Sequence, residues 1–287
     1  MPFKNLEAAI ERNDYLLFDT NTTQKCGSLN GLRNVHVLRE TENTELNDAY
    51  EYLTRMLDYY ANSKTIFIPE VVAEVRYFEK HLRNTKKWFE THHQYVLSPD
   101  ALTMLKQYVS LVSRTHELQK KKAREYCMKD ENWIELENLL YSVMPEKQRK
   151  RSRHVADVRA DSYLAAQAYA LLGKGNVCIV SSDKDIQSLV KSTHFIVRFL
   201  SQNEGSQLLS HPIEVFAFRK EKFVQTLHSD NRHTMSIQRF FAEQDSNFHK
   251  FKHLVFQAYK ILKPVFGLTK MPNVPLLKKC VESQLSK

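Results

Sequence analysis

Apolar residues recur along this chain with two different spacings, and the changes from one to the other mark its elements. Tyr15-Leu-Leu-Phe18, Thr65-Ile-Phe-Ile68 and Val177-Cys-Ile-Val180 are short, unbroken apolar runs. Such runs predict strands buried on both faces, as in a parallel sheet. Elsewhere the spacing is helical. Leu46, Ala49, Tyr50, Leu53, Leu57 and Tyr60 outline an amphipathic helix with Thr44 as its cap. Leu164, Ala165, Ala168, Leu171 and Leu172 outline another, which Gly173 and Gly175 break. Pro69 stands where the first turn of a helix tolerates it. Beyond these, Phe195–Leu200 and Ile213–Phe216 are predicted as strands, and Val35–Leu38 as a short one. Three helical segments are predicted to close the chain, at Glu221–Leu227, Ser236–Glu243 and Phe248–Phe266, with the Pro- and Lys-containing tail after Gly267 loosely held.

This alternation predicts an α/β fold, a parallel central sheet flanked by helices. The strand ends carry acids: Asp19-Thr20-Asn21 follows the first strand, and Ser181-Ser182-Asp183-Lys184-Asp185 follows Val177–Val180. A helix feeding a parallel strand runs antiparallel to it, so its beginning lies at the carboxyl edge of the sheet. That reasoning brings Asp157 and Asp161, one turn apart, to the edge of Asp183, and brings Glu70 and Glu74 there as well. Carboxylates crowded together repel one another unless a cation lies between them. Taken singly, each has a plainer role as turn former, helix cap or complement to the helix dipole, which suits Glu70 better than ligation.

Composition sharpens the picture at one place. Of the chain's net charge of +9, a net +7 falls between Val75 and His154, where 17 Lys and Arg face 10 Asp and Glu. The densest run, Lys147-Gln-Arg149-Lys150-Arg151-Ser-Arg153, leads into the helix of Asp161. Residues 75–153 therefore read as a basic helical insertion, and 218–287 as a C-terminal helical extension. A basic wall beside an acidic site suits a polyanionic partner. The aromatic residues of the insertion, Trp88, Tyr95, Tyr108 and Tyr126, stand at helical spacing and read first as core, with base stacking the sharper alternative. His92-His93 read as surface histidines, and Gly173-Lys174-Gly175 as a turn. Cys26, Cys127, Cys178 and Cys280 form no CxxC pair, which gives no zinc or disulfide framework and suits a reducing cytoplasm. No apolar run is long enough to span a membrane, and the polar N-terminus does not read as a signal peptide.

Four segments taken together resemble the PIN-domain nucleases. The likeness rests on Asp19-Thr20-Asn21, on Ile68-Pro69-Glu70-Val71-Val72-Ala73-Glu74, on Asp161 three residues before Leu164-Ala-Ala, and on Ser181-Ser182-Asp183-Lys184-Asp185. It implies a PIN-like discontinuous core at 1–74 and 154–217. It implies metal ligation and catalysis by Asp19, Glu74, Asp161 and Asp183, an accessory metal-binding role for Asp185, and support from Asn21 and Ser181, with Asp157 close by. The ions would be Mg2+ or Mn2+, hard cations that prefer carboxylate and water oxygens. The implied activity is hydrolysis of RNA to a 5′ phosphate and a 3′ hydroxyl, with Lys147, Arg149, Lys150, Arg151 and Arg153 holding phosphates. Two rival readings follow from the same grammar: a flap-type DNA endonuclease, and an RNA-binding or scaffold module without catalysis. The family's small toxin nucleases add an antitoxin-like protein partner to the expectations.

Overall fold

The chain is a mixed α/β protein, mostly helical, with a small sheet. A computed structural model describes residues 4–23, 42–92, 99–125, 137–138, 160–172, 174–181, 184–205, 214–219, 222–224 and 246–285. In chain order the elements are α1 (Lys4–Arg12), β1 (Tyr15–Phe18), a 3-10 turn (Thr20–Thr22), α2 (Glu42–Ala61), β2 (Thr65–Ile66), α3 (Pro69–His92) and α4 (Pro99–Glu125). They continue with α5 (Ala160–Leu172), β3 (Val177–Val180), α6 (Lys184–Glu204), β4 (Glu214–Arg219), β5 (Lys222–Val224), α7 (Ser246–Phe266) and α8 (Val274–Leu285). Two units emerge, Met1–Leu17 with Met128–Lys287, and Phe18–Cys127, so the division falls inside β1.

In the first unit the strands stand in the order β1-β3-β4-β5. β3 and β4 are parallel, pairing Cys178 with Glu214 and Val180 with Phe216, and β5 folds back antiparallel on β4. All four residues of β3 are buried, as its unbroken apolar sequence requires. α5 packs on β3 and on α6, burying Leu164, Ala165, Ala168 and Leu171. The turn from α5 into β3 is tight. A Cβ on Gly175 would lie 2.6 Å from Asp14 Oδ2 and 2.9 Å from Asp14 Cβ, so only glycine fits. There the Asn176 N–H donates to Asp14 Oδ2 at 2.9 Å, and the N–H groups of Asp14 and Tyr15 donate to the Asn176 carbonyl.

In the second unit α3 and α2 both pack on α4. Val71, Val75, Leu82 and Phe89 form the buried side of α3, and Leu105, Tyr108, Val109 and Val112 that of α4. Both helices open on proline, which lacks the N–H that a first turn leaves unpaired. Phe18, Tyr60 and Phe67 make a closed aromatic cluster: Tyr60 meets each phenyl ring edge-on at 5.1 Å, and Phe18 stacks on Phe67 at 6.0 Å.

Several expectations need correction. Phe195–Leu200 is helix within α6: Ile186, Leu189, Val190, Val197 and Leu200 keep helical spacing and are buried, and that continuity overrides the local β-prone run. Residues 222–224, expected as helix, form β5, where Phe223 pairs with Phe218 and Val224 with Ala217. Thr44 lies inside α2, which begins at Glu42. Trp88 is exposed rather than core, while Tyr108 is buried.

The tail after Gly267 is held by helix α8 and its contacts. Gly267 takes a φ of +61° to end α7, and the Leu268 N–H reaches back to the Lys263 carbonyl at 3.1 Å. Glu204 then accepts the N–H and hydroxyl of Thr269 and the N–H of Lys270. Asn273 caps α8 by accepting the Leu276 N–H at 3.0 Å. Val35–Leu38, Ser236–Glu243, Tyr95, Tyr126, Asp157, Asp183, Lys147, Arg149, Lys150, Arg151 and Arg153 lie outside the described residues. Among the described residues, no helix is long and apolar enough to cross a membrane.

Candidate active site

In the second unit the chain leaves β1 through a stretch of hydroxyl and amide side chains, Thr20-Asn21-Thr22-Thr23, that fixes the Asp19 carboxylate. Asp19 is buried and caps the 3-10 turn: its Oδ1 accepts the Thr20 N–H at 2.6 Å, and its Oδ2 accepts the side-chain amide of Asn21. Its carbonyl accepts both the Thr22 hydroxyl, at 2.6 Å, and the Thr22 N–H, at 3.1 Å. Asp19 thus has little freedom to turn.

Thr20 also joins two of the expected acids. Its hydroxyl donates to Glu74 Oε2, while its N–H holds Asp19. Glu74 projects half-buried from the second turn of α3, and Glu70 is half-buried one turn earlier. Two carboxylates 55 positions apart in sequence are therefore bonded to one threonine, one at its backbone N–H and the other at its hydroxyl.

Behind the turn lies a chain of hydroxyls that spacing did not reveal. Tyr60 Oη is 2.9 Å from Thr22 Oγ1 and 3.1 Å from Thr23 Oγ1, and the side-chain amide of Gln119 donates to Thr23 Oγ1 at 2.9 Å. The Tyr52 hydroxyl donates to the Thr22 carbonyl at 2.8 Å. Burial pushes the Tyr60 hydroxyl well above its ordinary pKa, the bonds with Thr22 and Thr23 oppose this, and the Asp19 charge adds to the rise. Tyr60 is therefore a neutral scaffold residue and does not serve as a base. The run of three threonines around Asn21 is the one sequence signal that could have pointed to this network.

In the first unit Asp161 stands half-buried in the first turn of α5, and Ser181, fully buried, follows β3 directly. Next to Asp161, the Ser162 hydroxyl donates to Glu137 Oε1 at 2.6 Å, and both side chains are buried. Glu137 is an acid that sequence reasoning passed over, since it entered only as one charge in the balance of the basic insertion. Asp185 belongs to the first turn of α6, with its side chain outside the described residues.

An oxygen-only set of carboxylates suits a hard divalent cation, and partners such as Thr20 and Asn21 are of the kind that orient ligating carboxylates from outside. The donor chemistry around Asp19 and Glu74 fits that use. Among the described residues, no three His, Cys, Asp or Glu side chains form a group able to hold a metal ion. Asp183, the fourth expected ligand, lies outside them.

A second polar cluster of the Phe18–Cys127 unit escaped the sequence. Glu79 of α3 is buried and accepts Arg83 Nε at 2.9 Å, Arg83 Nη2 at 2.6 Å and Ser113 Oγ at 2.7 Å. On its other oxygen it meets His116 Nδ1 at 2.6 Å. Burial alone would raise the Glu79 pKa, but the hydrogen bonds of Ser113, Arg83 and His116, with the Arg83 charge, outweigh it and hold the carboxyl below its ordinary value. This cluster clamps α3 to α4.

No protein-family model matches the chain, and neither does any curated protein or solved structure.

Proposed function

We propose that this chain is a metal-dependent phosphodiester hydrolase of PIN-like fold, acting on RNA. The observation that carries the reading is the junction at Thr20, which joins the acid at the end of the first strand to the acid of the following strand-to-helix segment. Asp161, Asp183 and Asp185 keep the ligand roles that the resemblance implies. A divalent cation bound to such carboxylates supplies activation of a water and stabilises the leaving oxygen. The chain's own part is to hold Asp19 and Glu74 in fixed orientation, through Thr20 and Asn21, so that no reorganisation is needed when the cation binds.

The test is incubation of end-labelled single-stranded RNA with the protein in Mg2+ or Mn2+, with and without chelator, beside the Asp19→Asn variant. Cleavage that needs the ion and is lost in the variant is the expected result. RNA bound but left intact under every condition would overturn the reading in favour of a binding module. Cleavage of branched DNA in preference to RNA would move it to the flap-type class.

A further inference from the structure

α3 presents an aromatic face to solvent. Tyr77 is 47% exposed and Trp88 37%, and among the described residues the only other exposed large hydrophobic side chain is Met271. His81 and His92 are exposed too. At 3.6 residues per turn, Tyr77, His81, Trp88 and His92 fall within an arc of about 60° on the helix surface. They form one row. The His92 ring lies flat on Trp88, 4.6 Å between centroids and 12° from coplanar, and Trp88 is braced edge-on by buried Phe89. Beside this row runs a second one of exposed cations, Arg76, Lys80 and Lys87. Of the acids of the helix, Glu79 faces His116 and Ser113 and Glu90 pairs with Lys86 and Lys106, each at 3.7 Å, away from this row, while Glu70 and Glu74 stand at its amino-terminal end. A contiguous exposed aromatic row marks an interaction site, and a cationic border selects an anionic partner.

We infer that this face of α3 binds single-stranded nucleic acid, its bases stacking on Tyr77 and Trp88 and its phosphates lying along Arg76, Lys80 and Lys87. Every base has a π-face, so the surface is indifferent to sequence and requires unpaired bases. Glu74 begins the row, on the same side of the helix one turn before Tyr77, so a strand on this face runs toward the acid that Thr20 holds. Only that direction rests on the hydrolase reading; the binding stands without it.

The experiment measures fluorescence anisotropy of a short labelled oligouridylate, the matching oligothymidylate and a blunt duplex, all in chelator so that no cleavage occurs. Both single strands should bind, and the duplex more weakly. Tyr77→Ala with Trp88→Ala should weaken single-strand binding by about tenfold or more, whereas Tyr77→Phe with Trp88→Phe should retain most of it. Lys80→Gln with Lys87→Gln should flatten the salt dependence by about 0.7 per lost phosphate contact. Each variant is first checked for a parental melting temperature, and the exposed lysine pair carries the test if an aromatic variant melts early. Duplex bound as tightly as single strands, or single-strand binding unchanged in both the aromatic and the lysine variants, would overturn the inference. An equal loss in Met271→Ala would do so as well. Binding that behaves as expected, with no cleavage once Mg2+ or Mn2+ is restored, would remove the hydrolase reading and leave this one standing.

Discussion

Replacing Glu79 with Gln tests how the helical unit is held together. The substitution keeps the shape of the side chain and removes the charge from a carboxylate that is 11% exposed and faces four donors. Those donors are not equal. Arg83 is 61% exposed, so its pair with Glu79 is screened by water and is worth at most about 1 kcal/mol. His116 is only 6% exposed and Ser113 is tied to the same carboxylate, so the cost falls mainly there. Weakening a hydrogen bond to a buried charged carboxylate costs about 1.5–3 kcal/mol. Because Gln still accepts one hydrogen bond, about 2–3 kcal/mol is expected, and at about 4 °C per kcal/mol for a domain of this size the melting midpoint should drop by about 10 °C.

Urea denaturation of the single and double variants measures the coupling directly. Glu79 with His116 should couple by more than about 1 kcal/mol, and Glu79 with Arg83 by less than about half of that. The pH dependence has a definite sign. The folded-state pKa of Glu79 lies below its ordinary 4.5, so the stability it contributes is full above that value and is lost as pH falls through the folded value. Glu79→Gln should remove that part of the acid-side slope. Equal coupling to both partners, or a cost under about 1 kcal/mol, would refute the account of α3 and α4 as joined through a buried carboxylate.

Further outcomes follow from the site and from the sheet. Millimolar Mn2+ or Mg2+ should raise the melting temperature, since saturation to a hundred times Kd adds about 2.7 kcal/mol to the native state; a shift with Zn2+ alone would count against an all-oxygen site. Asp161→Asn should leave metal-free stability unchanged or higher and lower RNA cleavage by more than about a hundredfold, the upper range for changes merely adjacent to ligands; unfolding of the variant would mark Asp161 as a structural cap. Gly175→Ala forces a Cβ to 2.9 Å from Asp14 Cβ and should cost about 1–3 kcal/mol in denaturant unfolding, against no measurable cost if the turn can widen.

β1 with Asp19 behind it, and β3, were legible because each rests on local grammar, a short apolar run ending in a polar turn, whereas the second run, Thr65–Ile68, is strand only over Thr65–Ile66. β1, β3 and the first turns of α3 and α5 fall where that grammar predicts. What stayed hidden depends on distant partners. Phe195–Leu200 is β-prone by composition, yet its place in α6 follows from burial against α5, α7 and α8, which no local window contains. Glu79 reads as one more charge on a basic helix until His116, 37 residues on, is seen beside it. Likewise the role of Thr20 appears only when Glu74 arrives from another helix. Trp88 shows the opposite error, for helical spacing says nothing about whether the facing side is covered.

The buried hydroxyl of Tyr60 gives this protein a reporter of its own. A phenol proton held between Thr22 and Thr23 and shut off from water exchanges with solvent only when the turn behind Asp19 opens. Its resonance in a proton spectrum would disappear on local opening while the helices α3 and α4 still keep their amide protection. The lifetime of a single proton thus records how often the Asp19 carboxylate is released from its fixed orientation, in the native protein and without any label.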